Sequence, residues 1–193
     1  MVLFTFAELI DLIIMVFAIG FIFSKIFKKP IPVSKTYDPL AHYEKKNDAF
    51  EDLKWGIIVA APAVVFHELA HKFVAIYFGA QATLVAPVVM YAIVILMIML
   101  KSPVIFFVGG YVTHTALPPL QSFFVSVSGP LTNLLLWFGA DRILKSDHKF
   151  KKKNIEMISM TKKLNMFLFI FNMIPIPGFD GFNAIRALFN IFF

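Results

Sequence analysis

The chain has 193 residues, the length of one domain, with 59% hydrophobic residues, 24 phenylalanines and only 16% charged residues. A soluble domain carries about 25% charged residues, so the composition excludes an ordinary soluble protein and indicates a membrane protein. The absence of cysteine excludes disulfides and thiolate metal ligands, and the net charge of +6 reads as basic flanks of membrane spans meeting anionic headgroups. No stacking platform or basic helix face accompanies that charge, so nucleic acid is set aside as a partner.

Residues 2–23, VLFTFAELIDLIIMVFAIGFIF, are read as a retained span: no basic stretch precedes them and no small-residue cleavage site follows. Glu8 and Asp11 interrupt the run, so one face is expected to pack on protein or lie at the interface. Residues 24–55 form a mixed-charge connection, expected as a surface loop with a short amphipathic helix leading to an interfacial Trp55. Its charges and His42 belong to a solvated face. The second span is predicted from Gly56 to Phe78, ended by Gly79.

Residues 84–100 are apolar but barely long enough to cross, and 104–112, VIFFVGGYV, are strand-like. A helix-then-strand element dipping into the membrane fits as well as a full crossing. A further span covers about 122–143, a basic connector 145–154, and a last apolar stretch 164–179 that ends at Asp180-Gly181. The tail from Phe182 is too short to span and is read as an interfacial helix. The fold class is therefore an all-α membrane protein, a multi-pass helical bundle with a small membrane-associated strand or re-entrant element.

The chemistry concentrates in AVVFHELAHKF, residues 63–73. Residues four apart share a helix face, so His67 and His71 can direct two imidazoles at one metal ion. Glu68 beside them can take a proton from a bound water and pass it to a leaving amine, which is the physical content of H-E-x-x-H. A pair of core histidines with a satisfied glutamate is the bland reading, costly for three ionisable groups within a span. Tetrahedral zinc with one open position needs a third protein ligand. Candidates are Asp180, Asp141, His114, Glu8 and Asp11. Asp141 is explained by an ion pair with the adjacent Arg142, and His114 by a polar loop. Asp180 ends NMIPIPGFDG, where two prolines break the helix and can turn a carboxylate sideways, although a simple Asp-Gly turn accounts for it too. Spacing puts Asp180 only somewhat ahead.

His67-Glu68-x-x-His71, SGPLTN (128–133) and NMIPIPGFDG (172–181) together resemble the three signature motifs of the site-2 protease family, the intramembrane zinc metalloproteases, over about residues 56–186. The resemblance implies one Zn²⁺ per chain held by His67, His71 and Asp180, with Glu68 as general base. It also implies a three-span catalytic core: the H-E-x-x-H helix, the helix after Gly129-Pro130 and the helix ending at Asp180. Asn172 and Asn133 match family asparagines that hold substrate backbone or brace the site, and an interhelical hydrogen bond is the simpler account of each. Residues 1–55 are then an N-terminal span with its polar loop, and 56–193 the catalytic membrane domain. The short connector between the last two core spans leaves no room for an inserted PDZ-like domain. The expected function is hydrolysis of a peptide bond in or near the transmembrane segment of a membrane-protein substrate. A silent scaffold or chaperone of the same fold, or a membrane metal-binding or transport protein, is the alternative.

Overall fold

A computed structural model describes residues 3–26, 49–102 and 109–192. Among them are six helices: α1 Phe6–Ile26, α2 Ala49–Tyr77, α3 Val88–Met99, α4 Pro119–Leu144, α5 Lys152–Asn172 and α6 Asp180–Phe192. Two short strands, β1 Ala82–Val85 and β2 Tyr111–His114, pair antiparallel with Ala82 opposite His114 and Val85 opposite Tyr111. The expected all-α class with a small strand element is what forms. Helices α1, α2 and α4 are long and apolar enough to cross a membrane. Large apolar side chains such as Phe6, Val89, Leu135 and Phe192 are exposed around the bundle, a surface suited to lipid.

Helix α2 is central and packs on α1, α4 and α5. It starts at Ala49, seven residues before the expected Gly56, and its 29 residues rise about 43 Å. Trp55 consequently lies in the buried core with Met15, Val59 and Leu164, and is not the interfacial anchor expected of it. At the other end the Ala80 N–H donates to the Ala75 carbonyl (3.0 Å) and the Gly79 N–H to that of Ile76 (2.8 Å). With Gly79 at φ +85° this is a Schellman stop, which requires a residue that tolerates the left-handed region. Helices α1 and α2 approach at glycine: a Cβ at Gly56 would meet the Gly20 carbonyl oxygen.

Helix α1 opens with a capping box. The Thr5 N–H and hydroxyl donate to Glu8 Oε2 (2.8 and 3.1 Å), and the Glu8 N–H donates to Thr5 Oγ1 (3.3 Å). Glu8 Oε1 accepts from the Lys72 ammonium of α2 and from the Leu84 N–H of β1 (2.9 Å). Phe4 covers the ammonium at 4.4 Å from its ring centre. Lys72 is 0% exposed and Glu8 2%, so the pair ties α1, α2 and β1 together in a dry interior. Removing one member strands the other charge. Lys72→Met is expected to destabilise the fold by about 3–5 kcal/mol, and adding Glu8→Gln to recover much of the loss. Thermal unfolding in detergent checks this, and a double variant no better than the single would contradict it.

Several expectations are resolved or corrected. Of the two readings left open for 84–112, the helix-then-strand order is the one that forms, α3 followed by β2; the 12 residues of α3 rise only about 18 Å, short of the roughly 30 Å hydrocarbon core. Of the strand-like stretch 104–112, residues 104–108 lie outside the described residues, as do most of the 24–55 connection and His42. Helix α5 begins at Lys152 inside the expected basic connector and ends at Asn172. The 164–179 run is therefore half helix and half turn. Pro175 and Pro177 lack the N–H a helix needs, which ends α5 early. Asp180 does not end a helix; it opens α6, and a Cβ at Gly181 would meet the Met173 backbone. Asp141 pairs with Lys145 (2.8 Å) and Lys162 (2.6 Å), not with Arg142, which lies over the Phe138 ring. Neighbours in sequence point about 100° apart on a helix, whereas the i+4 lysine shares the face of Asp141. His114 belongs to β2 and not to a loop.

Candidate metal centre

His67 and His71 lie one turn apart on the face of α2 that meets α4, so both rings enter the same interhelical space. Their Nε2 atoms are 3.1 Å apart, and Asp180 Oδ2 lies 3.0 Å from the first and 3.3 Å from the second. These three are the His/Cys/Asp/Glu group that could hold a metal ion among the described residues. Of the other four candidates for a third ligand, Glu8 and Asp141 are committed to lysines, and His114 and Asp11 stand outside the group.

The far side of each ring determines what Nε2 can do. His71 Nδ1 lies 2.7 Å from the Val125 carbonyl, which can only accept, so Nδ1 carries the proton. His67 Nδ1 lies 2.6 Å from Asn133 Oδ1. The Asn133 amide donates to the Ala63 carbonyl (2.9 Å) and to Asn165 Oδ1 (3.0 Å), which orients its oxygen toward His67. Both rings therefore turn an Nε2 lone pair toward the Asp180 carboxylate. With both rings neutral, three acceptors converge at this point, an arrangement that a bound cation satisfies. Ligands about 2.0–2.1 Å from a tetrahedral zinc stand about 3.3 Å from one another, close to the separations found. The donor set fits zinc.

Room for the ion comes from Gly129 on α4, where a Cβ would run into the Nε2 atoms of both histidines. Glu68, buried and outside the donor set, lines the same cavity of about 390 Å³. Gly109 and Gly110 cross it closely: a Cβ at Gly110 would stand 3.1 Å from Glu68 Cγ. Asn172, the last residue of α5, also lines the cavity. Asn133 is 0% exposed, with its amide and its oxygen all engaged, and does not reach the cavity.

Four participants escaped the sequence reading. Asn165 braces Asn133 and is itself held through the Thr161 carbonyl (2.8 Å); its signal was an amide inside an apolar run. Lys72 was visible as a cation in a span next to His71. The Thr5-x-x-Glu8 pattern before an apolar run announces a capping box. The Val125 carbonyl had no signal, because any residue supplies one.

No family model matches the chain, and no solved structure matches it. Among curated proteins it is similar to "Putative zinc metalloprotease YwhC" of Bacillus subtilis, 27% identical over 154 residues, 68% of each chain. It is also 27% identical over 138 residues to "Putative zinc metalloprotease sll0528" of Synechocystis, covering 69% of this chain but only 31% of that longer protein. "Putative zinc metalloprotease MJ0611" of Methanocaldococcus jannaschii is 31% identical over 183 residues, 93% of this chain and 83% of that one. With that identity across most of both chains, this chain belongs to the same family as the Methanocaldococcus protein, a family of zinc metalloproteases.

Proposed function

We propose that the chain is an intramembrane zinc metalloendopeptidase of the site-2 type, hydrolysing a peptide bond in or near the transmembrane segment of a membrane-protein substrate. It works as a multi-pass protein of the cell membrane, with the lipid bilayer and a membrane-spanning polypeptide as its partners. The observation that carries the reading is the meeting of His67, His71 and Asp180 beside a carboxylate, Glu68, that takes no part in their cluster. A purely structural metal site has no use for that fourth group.

In this reading His67, His71 and Asp180 hold one zinc ion, which when bound supplies Lewis-acid polarisation of the scissile carbonyl and of water. Glu68 accepts the proton of the attacking water and returns it to the amide nitrogen as the C–N bond breaks. Asn133 holds the His67 ring in its metal-facing tautomer. Asn172, in the cavity lining, hydrogen-bonds the substrate backbone. A helical substrate hides its backbone and must unwind before it is cut. β2 borders the cavity and pairs only with β1 among the described residues, so its other edge can receive an extended strand. The irregular 174–178 offers a second such surface.

Metal analysis and cleavage of a transmembrane reporter peptide test the proposal together. Wild-type protein is expected to hold one zinc per chain and to cut the reporter, and Asp180→Asn to lower both. Undiminished cleavage by that variant would overturn the mechanism. Zinc without cleavage of any transmembrane reporter would favour the silent scaffold, and zinc that crosses the membrane would favour transport.

A further inference from the structure

The cavity at the metal centre does not end there. It shares His114, Ser126 and Asn183 with a second groove of about 410 Å³ between the start of α4, the end of β2 and helix α6. Helix α6 has three faces, each with its own chemistry. Gly181, Ala184 and Ala187 are small and buried, letting α6 lie close against its neighbours. Ile185, Phe189 and Phe192 form an exposed apolar stripe. Asn183, Arg186 and Asn190, spaced three and four apart, line the groove.

Arg186 is the cation of this groove, and none of the described residues lining it is acidic. Among the described residues its guanidinium has no ion-pair or hydrogen-bond partner. A guanidinium flanked by two amides, in a groove continuous with the metal centre, is built to take a carboxylate through paired hydrogen bonds. Arg186 lies six residues beyond Asp180 on one helix, about 9 Å along its axis, which an extended peptide covers in about three residues.

We propose that this groove is a specificity subsite for an acidic side chain of the substrate, held by Arg186 about three residues from the bond that is cut. The proposal rests on the proteolytic reading above and adds to it a preference among substrates. A peptide lying from the metal centre along α6 meets Asn183 first, which can hold its backbone, and then Arg186, which selects its side chain.

The experiment uses the full chain in detergent and an alanine- and leucine-rich reporter peptide carrying Glu, Gln or Lys at successive positions on both sides of the cleaved bond. Glu is expected to raise kcat/KM over Lys by about three- to tenfold at one position near the third, in line with attraction of Glu and repulsion of Lys by an exposed guanidinium. Arg186→Gln should level Glu and Gln, and Arg186→Glu should make Lys the preferred residue. Equal cleavage of the three peptides by wild type, or a Glu preference that survives Arg186→Glu, overturns the subsite. The same peptides are also titrated by fluorescence anisotropy onto chelator-treated protein, where no turnover occurs. If no peptide is ever cut, the proteolytic reading fails separately, while the order of binding still decides the role of Arg186. If Arg186→Gln weakens partition into anionic vesicles and leaves the peptide order unchanged, Arg186 contacts a lipid headgroup and the subsite is refuted.

Discussion

Gly129→Ala is expected to weaken zinc binding sharply, and peptide hydrolysis with it, while the helix bundle stays folded. The added Cβ would fall on the Nε2 atoms of His67 and His71, the point where their lone pairs converge. Neither ring can retreat by simple rotation, because each is held from behind, one by Asn133 and the other by the Val125 carbonyl. Alanine is a better helix former than glycine by about 1 kcal/mol, so local propensity in α4 works against unfolding. The variant thus separates metal site from fold. We expect zinc affinity to fall on the order of 100-fold, measured by competition with a chelator, and the metal-free protein to unfold cooperatively with a loss of no more than about 1–3 kcal/mol from the crowding. Wild-type affinity in this variant would mean that the histidines do not share an ion at this point.

Glu68→Gln should have the complementary effect: zinc retained at one per chain and cleavage of the reporter reduced by about 10²–10⁴-fold. Glutamine nearly preserves the shape of the side chain and removes its capacity to accept the proton. The donors that could hold the ion are His67, His71 and Asp180, so the metal has no reason to leave. Asp180→Asn, by contrast, removes a donor and should lose metal and activity together. Metal content and rate measured on both variants therefore give each carboxylate its role. Loss of zinc from Glu68→Gln would make Glu68 a ligand and leave the general base unassigned.

Much of this arrangement was legible in the sequence because it is local. The i, i+4 histidines with Glu68 beside the first required only that α2 be helical, and the apolar run there allowed little else. Gly79 announced the end of α2, since few other residues accept its backbone conformation. The two prolines after Asn172 announced a break before Asp180. Where the reading went astray, the deciding contacts were distant. Trp55 looked interfacial because its buried neighbours on α1 and α5 are far away in sequence. For residues 84–100 the sequence left a full crossing and a helix-then-strand element open, because hydropathy registers a strand, a turn and a short helix alike when all are apolar.

By itself, then, the sequence determined the membrane character of the chain, the helix that carries His67, Glu68 and His71, and the break that frees Asp180, all properties of composition and near-neighbour geometry. Asp180 was only somewhat ahead of four other candidates on spacing and was named as the third ligand by the motif resemblance; the tertiary structure is what brings it, from the first turn of α6, against the two histidines. It also decided that Gly129 leaves the space, that Asn133 and Asn165 orient His67 from two other helices, that Glu8 serves Lys72 instead of a metal, and that Arg186 lines a second groove adjoining the metal-centre cavity. Those assignments depend on which surfaces of distant helices come into contact, and no local pattern records the register at which two helices pack.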